Sequence, residues 1–381
     1  MRVGIVAGEA SGDNLAAGLI NALREQDTDL QVFGVAGPRM QAAGCEAWFA
    51  SEELAVMGLA EVVRHLPRLV KLRRTLLQRF LAAPPDVFVG IDAPDFNLGL
   101  EQRLRVRGLR TVQYVSPSVW AWRQGRMGKI RRATDCVLCL LPFETAFYEA
   151  QQHPAVFTGH PLADEIPLHS PSAPARAALG LPARGACLAV LPGSRQGEVA
   201  RIGPVFAQTV ALLAREHPAL GFVAPMASTA TCELFSSQLQ EHAPGVIVQM
   251  PEGKAQVAMA ASDAVLLASG TAVLEALLIG RPHVVAYRIA PLTAGLVRGL
   301  GLMQTQHYAL SNLLAGRELV PEFIQEQATP EALRTAVAQQ LFEPGKAESL
   351  RATFREIHLA LRQDASRRAA RAVREIAGAP A

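Results

Sequence analysis

A short polar segment after an apolar run has the residues needed to bind a phosphate group. Residues 264–268 are uniformly apolar, which is typical of a strand covered on both faces of a parallel sheet. Ser269, Gly270 and Thr271 follow and begin a segment with helical spacing. The unpaired N–H groups and the dipole at a helix N-terminus favour a diphosphate at such a position. The alternative is a capped crossover helix that binds no ligand.

Three polar residues elsewhere in the C-terminal half could complete a nucleotide site. Glu275 lies one turn into the same helix, where its carboxylate could accept hydrogen bonds from a ribose or face solvent. Arg195 stands in a glycine turn that opens another helix, and its guanidinium could reach a phosphate. Asn312 occupies a loop–helix junction, where it could cap the helix or hydrogen-bond a ligand.

Two loops of the N-terminal half carry carboxylates. Asp92 directly follows the predicted strand at residues 86–91, and the carboxyl ends of parallel strands are where such sheets perform their chemistry. An apolar cleft would raise its pKa, whereas the alternative is a loop acid or a backbone cap. The loop GEASGD at residues 8–13 lacks the GxGxxG spacing and contains two acids, so we interpret it as a sugar-facing or structural loop.

Two other segments could contact acyl chains or a membrane. Trp120, with Trp122 and Arg126 nearby, could form a platform for a sugar face or an acyl chain, or it could pack in the core. Residues 57–80 combine apolar residues at helical spacing with many basic residues, which is typical of an amphipathic helix at a lipid interface. The alternative is a crossover helix packed on its sheet. The residues predicted to contact a membrane are Leu59, Val62, Val63, Leu66, Leu69 and Arg73.

The composition excludes several classes of protein. The net charge of +3 is too small to indicate nucleic-acid binding by the whole molecule. The five cysteines are scattered, which indicates reduced thiols in a cytosol. The N-terminal segment does not have the pattern of a signal peptide, and no run of about 18 apolar residues could span a membrane.

The elements that must position these residues predict an α/β protein with two domains. The chain of 381 residues is longer than one core usually supports, and apolar runs alternate with helical segments in both halves. We predict two Rossmann-like parallel-sheet domains that face each other across a cleft. The expected division is an N-terminal domain at 1–166, a Pro- and Ser-rich linker at 167–176, a second domain at 177–345 and C-terminal helices at 346–381.

The order of several motifs resembles that of the lipid-A-disaccharide synthase family of GT-B glycosyltransferases. The motifs are GEASGD, GIDAPDFN, SPSVWAWR, LPGSR followed by Glu198, ASGTAVLE and NLLAGRELV. The resemblance covers nearly the whole chain and implies a GT-B fold whose C-terminal helices pack back on the first domain. One departure is Ser311, because the family commonly has proline directly before the asparagine, and its absence is expected to loosen the local backbone.

The resemblance implies a specific reaction. A 2,3-diacylglucosaminyl group passes from UDP to 2,3-diacylglucosamine 1-phosphate with inversion, forming a β-1,6 linkage and releasing UDP in lipid A biosynthesis. Asp92 is implied as the general base. No metal or other cofactor is implied, so helix N-termini and Arg195 would stabilise the leaving diphosphate. The implied nucleotide site consists of Arg195, Ser269, Gly270, Thr271, Glu275 and Asn312, and the implied acceptor side of Glu9, Ser11, Asp13 and Trp120.

The expected partners are the two acylated sugars and the cytoplasmic face of the inner membrane of a Gram-negative bacterium, to which the protein would bind peripherally. A homodimer is compatible with the sequence, but nothing in the sequence requires it. Two alternatives remain at this stage. One is another GT-B enzyme, such as a UDP-N-acetylglucosamine 2-epimerase, and the other is a glycolipid-binding protein without catalytic activity.

Overall fold

The protein consists of two compact units. The structure is a computed structural model that describes residues 1–54, 59–119, 124–289 and 307–378, with the backbone alone for 59–66 and 124. The first unit contains Met1–Asp164 together with Leu361–Ala381, and the second contains Glu165–Ala360. Each unit is built on one sheet whose described strand pairs are all parallel, which confirms the predicted α/β class with two parallel-sheet domains.

The first unit has a sheet of strand order β3-β2-β1-β4-β5-β6-β7. Its strands are β1 (Arg2–Ala7), β2 (Gln31–Ala36), β3 (Glu46–Ala50), β4 (Val87–Ile91), β5 (Arg110–Tyr114), β6 (Cys136–Cys139) and β7 (Ala155–Phe157). Its helices are α1 (Ala10–Arg24), α2 (Pro38–Ala42), α3 (Leu59–Ala82), α4 (Pro94–Arg105), α5 (Met127–Ala133), α6 (Pro142–Ala150) and α7 (Pro161–Glu165), with 3-10 turns at Ser51–Glu53 and Gln124–Arg126 and a C-terminal helix at Ala365–Ala377.

Apolar clusters cover both faces of this sheet. On one face, Ile5 of β1 belongs to the same cluster as Leu19 of α1 and Val373 of the C-terminal helix. On the other face, Val6 clusters with Leu76 of α3 and other residues of α3 and α4. Successive side chains of a strand point to opposite faces, so a strand segment buried on both sides must be apolar throughout, as β1 is from Val3 to Ala7.

The second unit has a sheet of strand order β10-β9-β8-β11-β12-β13 and one large apolar cluster built around its strands. Its strands are β8 (Cys187–Leu191), β9 (Gly221–Val223), β10 (Val248–Gln249), β11 (Ala264–Leu267), β12 (His283–Tyr287) and β13 (Glu322–Ile324). Its helices are α8 (Ser172–Leu179), α9 (Gln196–Glu216), α10 (Thr229–His242), α11 (Ala255–Ala261), α12 (Thr271–Ile279), α13 (Leu310–Ala315), α14 (Pro330–Phe342) and α15 (Lys346–Leu361), with a 3-10 turn at Gln325–Gln327.

The segment expected to be a linker is partly helical. Residues 172–176 of the predicted linker form the first part of α8, and the second unit begins already at Glu165. Arg176 is buried, and its guanidinium donates to Asp263 Oδ2 at 2.8 Å and to the Ala261 carbonyl at 2.9 Å. Proline and serine are compatible with a first helical turn, so composition alone did not reveal this helix. At the other boundary, α15 belongs to the second unit as far as Ala360.

Candidate active site

The strand order places the predicted motifs at one position in each sheet. In the first sheet the chain passes from β1 to β2 in one direction and from β4 to β5 in the opposite direction, so the switch point lies between β1 and β4. In the second sheet the switch point lies between β8 and β11 for the same reason. Ligands of such sheets bind beyond the carboxyl ends of the strands at this switch point. Ala7 pairs with Ile91 and Leu191 with Leu267, so the loops that follow each pair are neighbours. In the first unit, the loop at residues 8–13 is therefore the neighbour of Asp92.

Asp92 has a constrained backbone. Its φ is +49° and that of Ala93 is +40°, a region that costs of order 1–3 kcal/mol per non-glycine residue unless the surroundings hold it. Two buried amides do so, because Asn97 Nδ2 and Gln113 Nε2 donate to the Asp92 carbonyl at 2.9 and 3.0 Å. The Asp92 N–H donates to the Tyr114 carbonyl at 2.9 Å. Three hydrogen bonds thus hold the main chain that carries this carboxylate.

The surroundings of Asp92 suit a proton acceptor. Burial raises the pKa of its carboxyl group, the negative charge of Glu9 raises this pKa further, and a hydrogen bond from the Ala93 backbone lowers it. A base whose pKa lies closer to neutrality removes a proton more effectively. Glu9 and Ser11 are exposed at the start of α1, and the charge of Glu9 acts on the Asp92 carboxylate.

Asp13 has a structural role that differs from the one expected. Its side chain is buried, and its two oxygens accept hydrogen bonds from the backbone N–H groups of Arg39 at 3.0 Å and Met40 at 2.9 Å. These donors are in the first turn of α2, whose N–H groups have no partner within the helix. Its carboxylate is directed into the protein, and the position of Asp13 on the acceptor side stays a prediction.

The second unit brings the predicted phosphate-binding loops together. Gly270 has a φ of +139°, which favours glycine, and it precedes α12, whose first residue Thr271 is exposed. Ser269 is half-buried beside it. Arg195 precedes α9 at the neighbouring strand end, and its side chain is 57% exposed, so the guanidinium can turn toward a ligand. Backbone donors and one cation therefore meet at this switch point.

Glu275 and Glu198 contribute carboxylates to this site. Glu275 Oε1 accepts a hydrogen bond from Gln256 Nε2 at 2.8 Å, and burial raises the pKa of Glu275 while this bond lowers it. Glu198 Oε2 accepts from the backbone N–H groups of Ser194 at 3.1 Å and Arg195 at 3.4 Å, which holds the glycine turn. Gln256 was not identified from the sequence, since a single glutamine on a short helix gives no signal.

Asn312 is also buried in a way that the sequence did not indicate. Its Oδ1 accepts from the backbone N–H groups of Leu319 at 2.7 Å and Val320 at 2.8 Å. Its Nδ2 donates to the Val320 carbonyl at 2.9 Å and to the Glu322 carboxylate. The amide therefore has its hydrogen-bonding capacity filled inside the protein, where it holds the segment from α13 to β13. Its contact with a nucleotide stays a prediction.

The chain is similar to known proteins over nearly its whole length. A family model described as lipid-A-disaccharide synthetase matches residues 3–376. The chain belongs to this family. Lipid-A-disaccharide synthases similar to it come from Azotobacter vinelandii, 53% identical over 99% of this chain and 98% of the relative, and Pseudomonas aeruginosa, 52% identical over the same shares. Another comes from Xanthomonas campestris pv. campestris, 50% identical over 98% of this chain and 86% of the relative. Membership of the synthetase family confirms the predicted glycosyltransferase function in lipid A biosynthesis and does not favour the alternatives.

Solved structures similar to this family member confirm the predicted GT-B fold. The glycotransferase of kitacinnamycin has a TM-score of 0.64 and 18% identity, covering 98% of each chain. The calicheamicin glycosyltransferase CalG4 has a TM-score of 0.63 and 16% identity, covering 99% of this chain and 98% of that one. UDP-GlcNAc 2-epimerase from Neisseria meningitidis, bound to UDP-GlcNAc, has a TM-score of 0.62 and 12% identity, covering 92% and 94%. Identities this low show the fold alone.

The predicted membrane helix is described only in part. Trp120 lies outside the described residues, as do the side chains of Leu59, Val62, Val63 and Leu66. Leu69 packs against the core, while Arg73 lies 4.9 Å from the Phe96 ring centre and donates to the Asp95 carbonyl at 3.1 Å. These contacts are the ones expected of a crossover helix packed on its sheet, and membrane contact through Leu69 and Arg73 stays a prediction. None of the described helices has the length and apolar character needed to cross a membrane.

Proposed function

We propose that the protein transfers the 2,3-diacylglucosaminyl group of UDP-2,3-diacylglucosamine to the 6-hydroxyl group of 2,3-diacylglucosamine 1-phosphate. Membership of the synthetase family indicates a sugar nucleotide and a glycolipid as substrates. The products are the β-1,6-linked lipid A disaccharide 1-phosphate and UDP. Two observations together carry the proposal. One constrained carboxylate, Asp92, lies at the switch point of the first sheet. Arg195 and the loop at residues 269–271 lie at the switch point of the second sheet.

Asp92 acts as the general base in this proposal. Its carboxylate takes the proton of the acceptor hydroxyl, and the freed electron pair of that oxygen forms the new bond to the anomeric carbon. The bond from this carbon to the diphosphate oxygen breaks, and UDP leaves with the electron pair. Attack from the side opposite to UDP inverts the configuration. The raised pKa of Asp92 supports this role because a more basic carboxylate holds the proton better.

The second unit stabilises the departing diphosphate. Ser269, Gly270 and Thr271 offer backbone and hydroxyl donors at the N-terminus of α12, and Arg195 adds a positive charge. Donors held in place where charge develops lower the barrier more than mobile water does. Glu275, oriented by Gln256, accepts hydrogen bonds from the ribose hydroxyls. These groups supply the charge stabilisation without a metal ion.

We also propose that the first unit binds the cytoplasmic surface of the inner membrane through α3. Both substrates carry acyl chains that must be drawn from a bilayer. Within the described part of α3, Arg68, Lys71, Arg74 and Arg79 are exposed, together with the apolar Val70. Each basic side chain near an anionic surface contributes about 1 kcal/mol of attraction. The exposed part of the helix is thus included in the proposed contact.

The direct test of the reaction is UDP release from UDP-2,3-diacylglucosamine by the purified protein, with a chelator present. Release that requires 2,3-diacylglucosamine 1-phosphate, together with a disaccharide product, is the expected result. UDP-N-acetylglucosamine serves as the control donor, because an epimerase would convert it to its 2-epimer. Conversion of this soluble sugar, or release of UDP independent of the acceptor, would contradict the proposal.

A further inference from the structure

Buried acceptor atoms without partners are concentrated beneath the Asp92 loop, which consists of Asp92 and Ala93. Asn97, Glu101 and Gln113 are each fully buried. Among the residues that the structure describes, Asn97 Oδ1, Gln113 Oε1 and both carboxyl oxygens of Glu101 have no hydrogen-bond partner. A buried polar atom without a partner costs about 1–3 kcal/mol. None of these atoms can donate to another unless the Glu101 carboxyl group carries a proton.

The three side chains converge on one point of the sheet. Asn97 and Glu101 are one turn apart on α4, and a Cβ atom at Gly90 would lie 2.3 Å from Glu101 Oε1 and 2.9 Å from Asn97 Cβ. Only glycine therefore admits the carboxyl group at this position of β4. Gln113 is the register partner of Gly90 on β5, so its side chain leaves the sheet on the same face.

The donor ends of both amides are already committed to the Asp92 loop. Asn97 Nδ2 and Gln113 Nε2 donate to the Asp92 carbonyl, so both amide oxygens must point away from this loop and into the interior. A group that donates to either oxygen would fix the amide orientation. Through that amide it would stabilise the left-handed backbone of Asp92 and Ala93.

We propose that Glu101 is a neutral carboxylic acid that donates its proton to the amide oxygen of Asn97 or Gln113, and that it is thereby a positioning residue for Asp92. This inference rests on the proposed role of Asp92 as the base. Complete burial raises the pKa of Glu101 well above its ordinary value, and the charge of Lys129 on α5 lowers it only in part. On the α3 side, the charged group packed on α4 is Arg73, which donates to the Asp95 carbonyl.

Two substitutions and one spectrum test the proposal. Glu101→Gln keeps a donor of the same shape, so it is expected to retain turnover within about threefold, whereas Glu101→Leu is expected to lower kcat about tenfold or more with little change in the KM for the sugar nucleotide. The infrared spectrum of the wild-type protein at neutral pH is expected to contain a protonated-carboxyl band that Glu101→Gln removes.

Two results would overturn the proposal. One is the absence of such a band, which would mean that Glu101 is ionised beside Lys129. The other is equal kcat values for Glu101→Gln and Glu101→Leu. If Glu101→Leu does not fold, the band and the glutamine variant still decide the question. If the wild-type protein shows no turnover at all, the proposed function fails, and the band alone then decides whether Glu101 is protonated.

Discussion

Asn312→Ala tests whether the buried amide holds the protein together or binds the nucleotide. The substitution removes two accepted and two donated hydrogen bonds, and it leaves the backbone N–H groups of Leu319 and Val320 without their acceptor. At about 1 kcal/mol net for each bond, with a larger cost for a buried group left unpaired, the loss is about 3–5 kcal/mol. Domains are stable by only about 5–15 kcal/mol, so this loss would be severe.

Hydrogen exchange measured by mass spectrometry is the appropriate assay. It reports directly on the segment that Asn312 holds. Peptides covering residues 307–324 are expected to lose protection in Asn312→Ala. Asn14→Ala is the matched control, because Asn14 makes a single exposed side-chain hydrogen bond, to Arg39. Wild-type protection combined with a tenfold or greater loss of UDP affinity would refute the structural role.

Three further predictions concern stability and membrane binding. Asp13→Ala is expected to lower the free energy of unfolding by about 2 kcal/mol without raising the KM for the acceptor. A raised KM at normal stability would indicate instead that Asp13 lines the acceptor side. Burial lowers the pKa of His283 to about 4, so between about pH 6.5 and 4 the unfolded chain binds a proton that the folded chain does not. As the pH is lowered through this window, His283 should reduce the free energy of unfolding by up to about 3 kcal/mol. Urea titrations of His283→Gln should show a smaller loss over the same pH range. Equal losses in the two proteins would argue against this contribution of His283. Val70→Glu should reduce sedimentation with anionic vesicles, whereas Ile247→Glu, at a residue 85% exposed in the second unit, should not; equal sedimentation of both variants would exclude this part of α3.

The sequence predicts the parts of the site that depend on local pattern. A fully apolar run followed by a polar turn indicates a buried parallel strand and the loop at its carboxyl end. The loops at residues 8–13, 92–93, 192–195 and 268–271 therefore follow from the sequence, and strand order then brings them together in pairs. The fold class follows from the same alternation of elements.

The sequence does not predict where a polar side chain points when its partners are distant along the chain. The partners of Asp13 are 26 and 27 residues away, and Asn312 and Glu322 are separated by ten residues. Ser311 shows the same limit. It was expected to loosen the backbone, but its buried hydroxyl lies 2.7 Å from Nε2 of His283, a residue 28 positions earlier. Such pairs become apparent only when the strands are assembled.

The most direct test of the account is the turnover of Asp92→Asn measured together with its affinity for UDP. Asparagine has nearly the same size but cannot take the proton, so turnover is expected to fall by roughly two or more orders of magnitude. UDP affinity is expected to stay unchanged, because the nucleotide is assigned to the second unit. Asp95→Asn is the matched control, since that carboxylate is 78% exposed and pairs with Arg126. Wild-type turnover in Asp92→Asn would contradict the account, because the reaction would then need a different base.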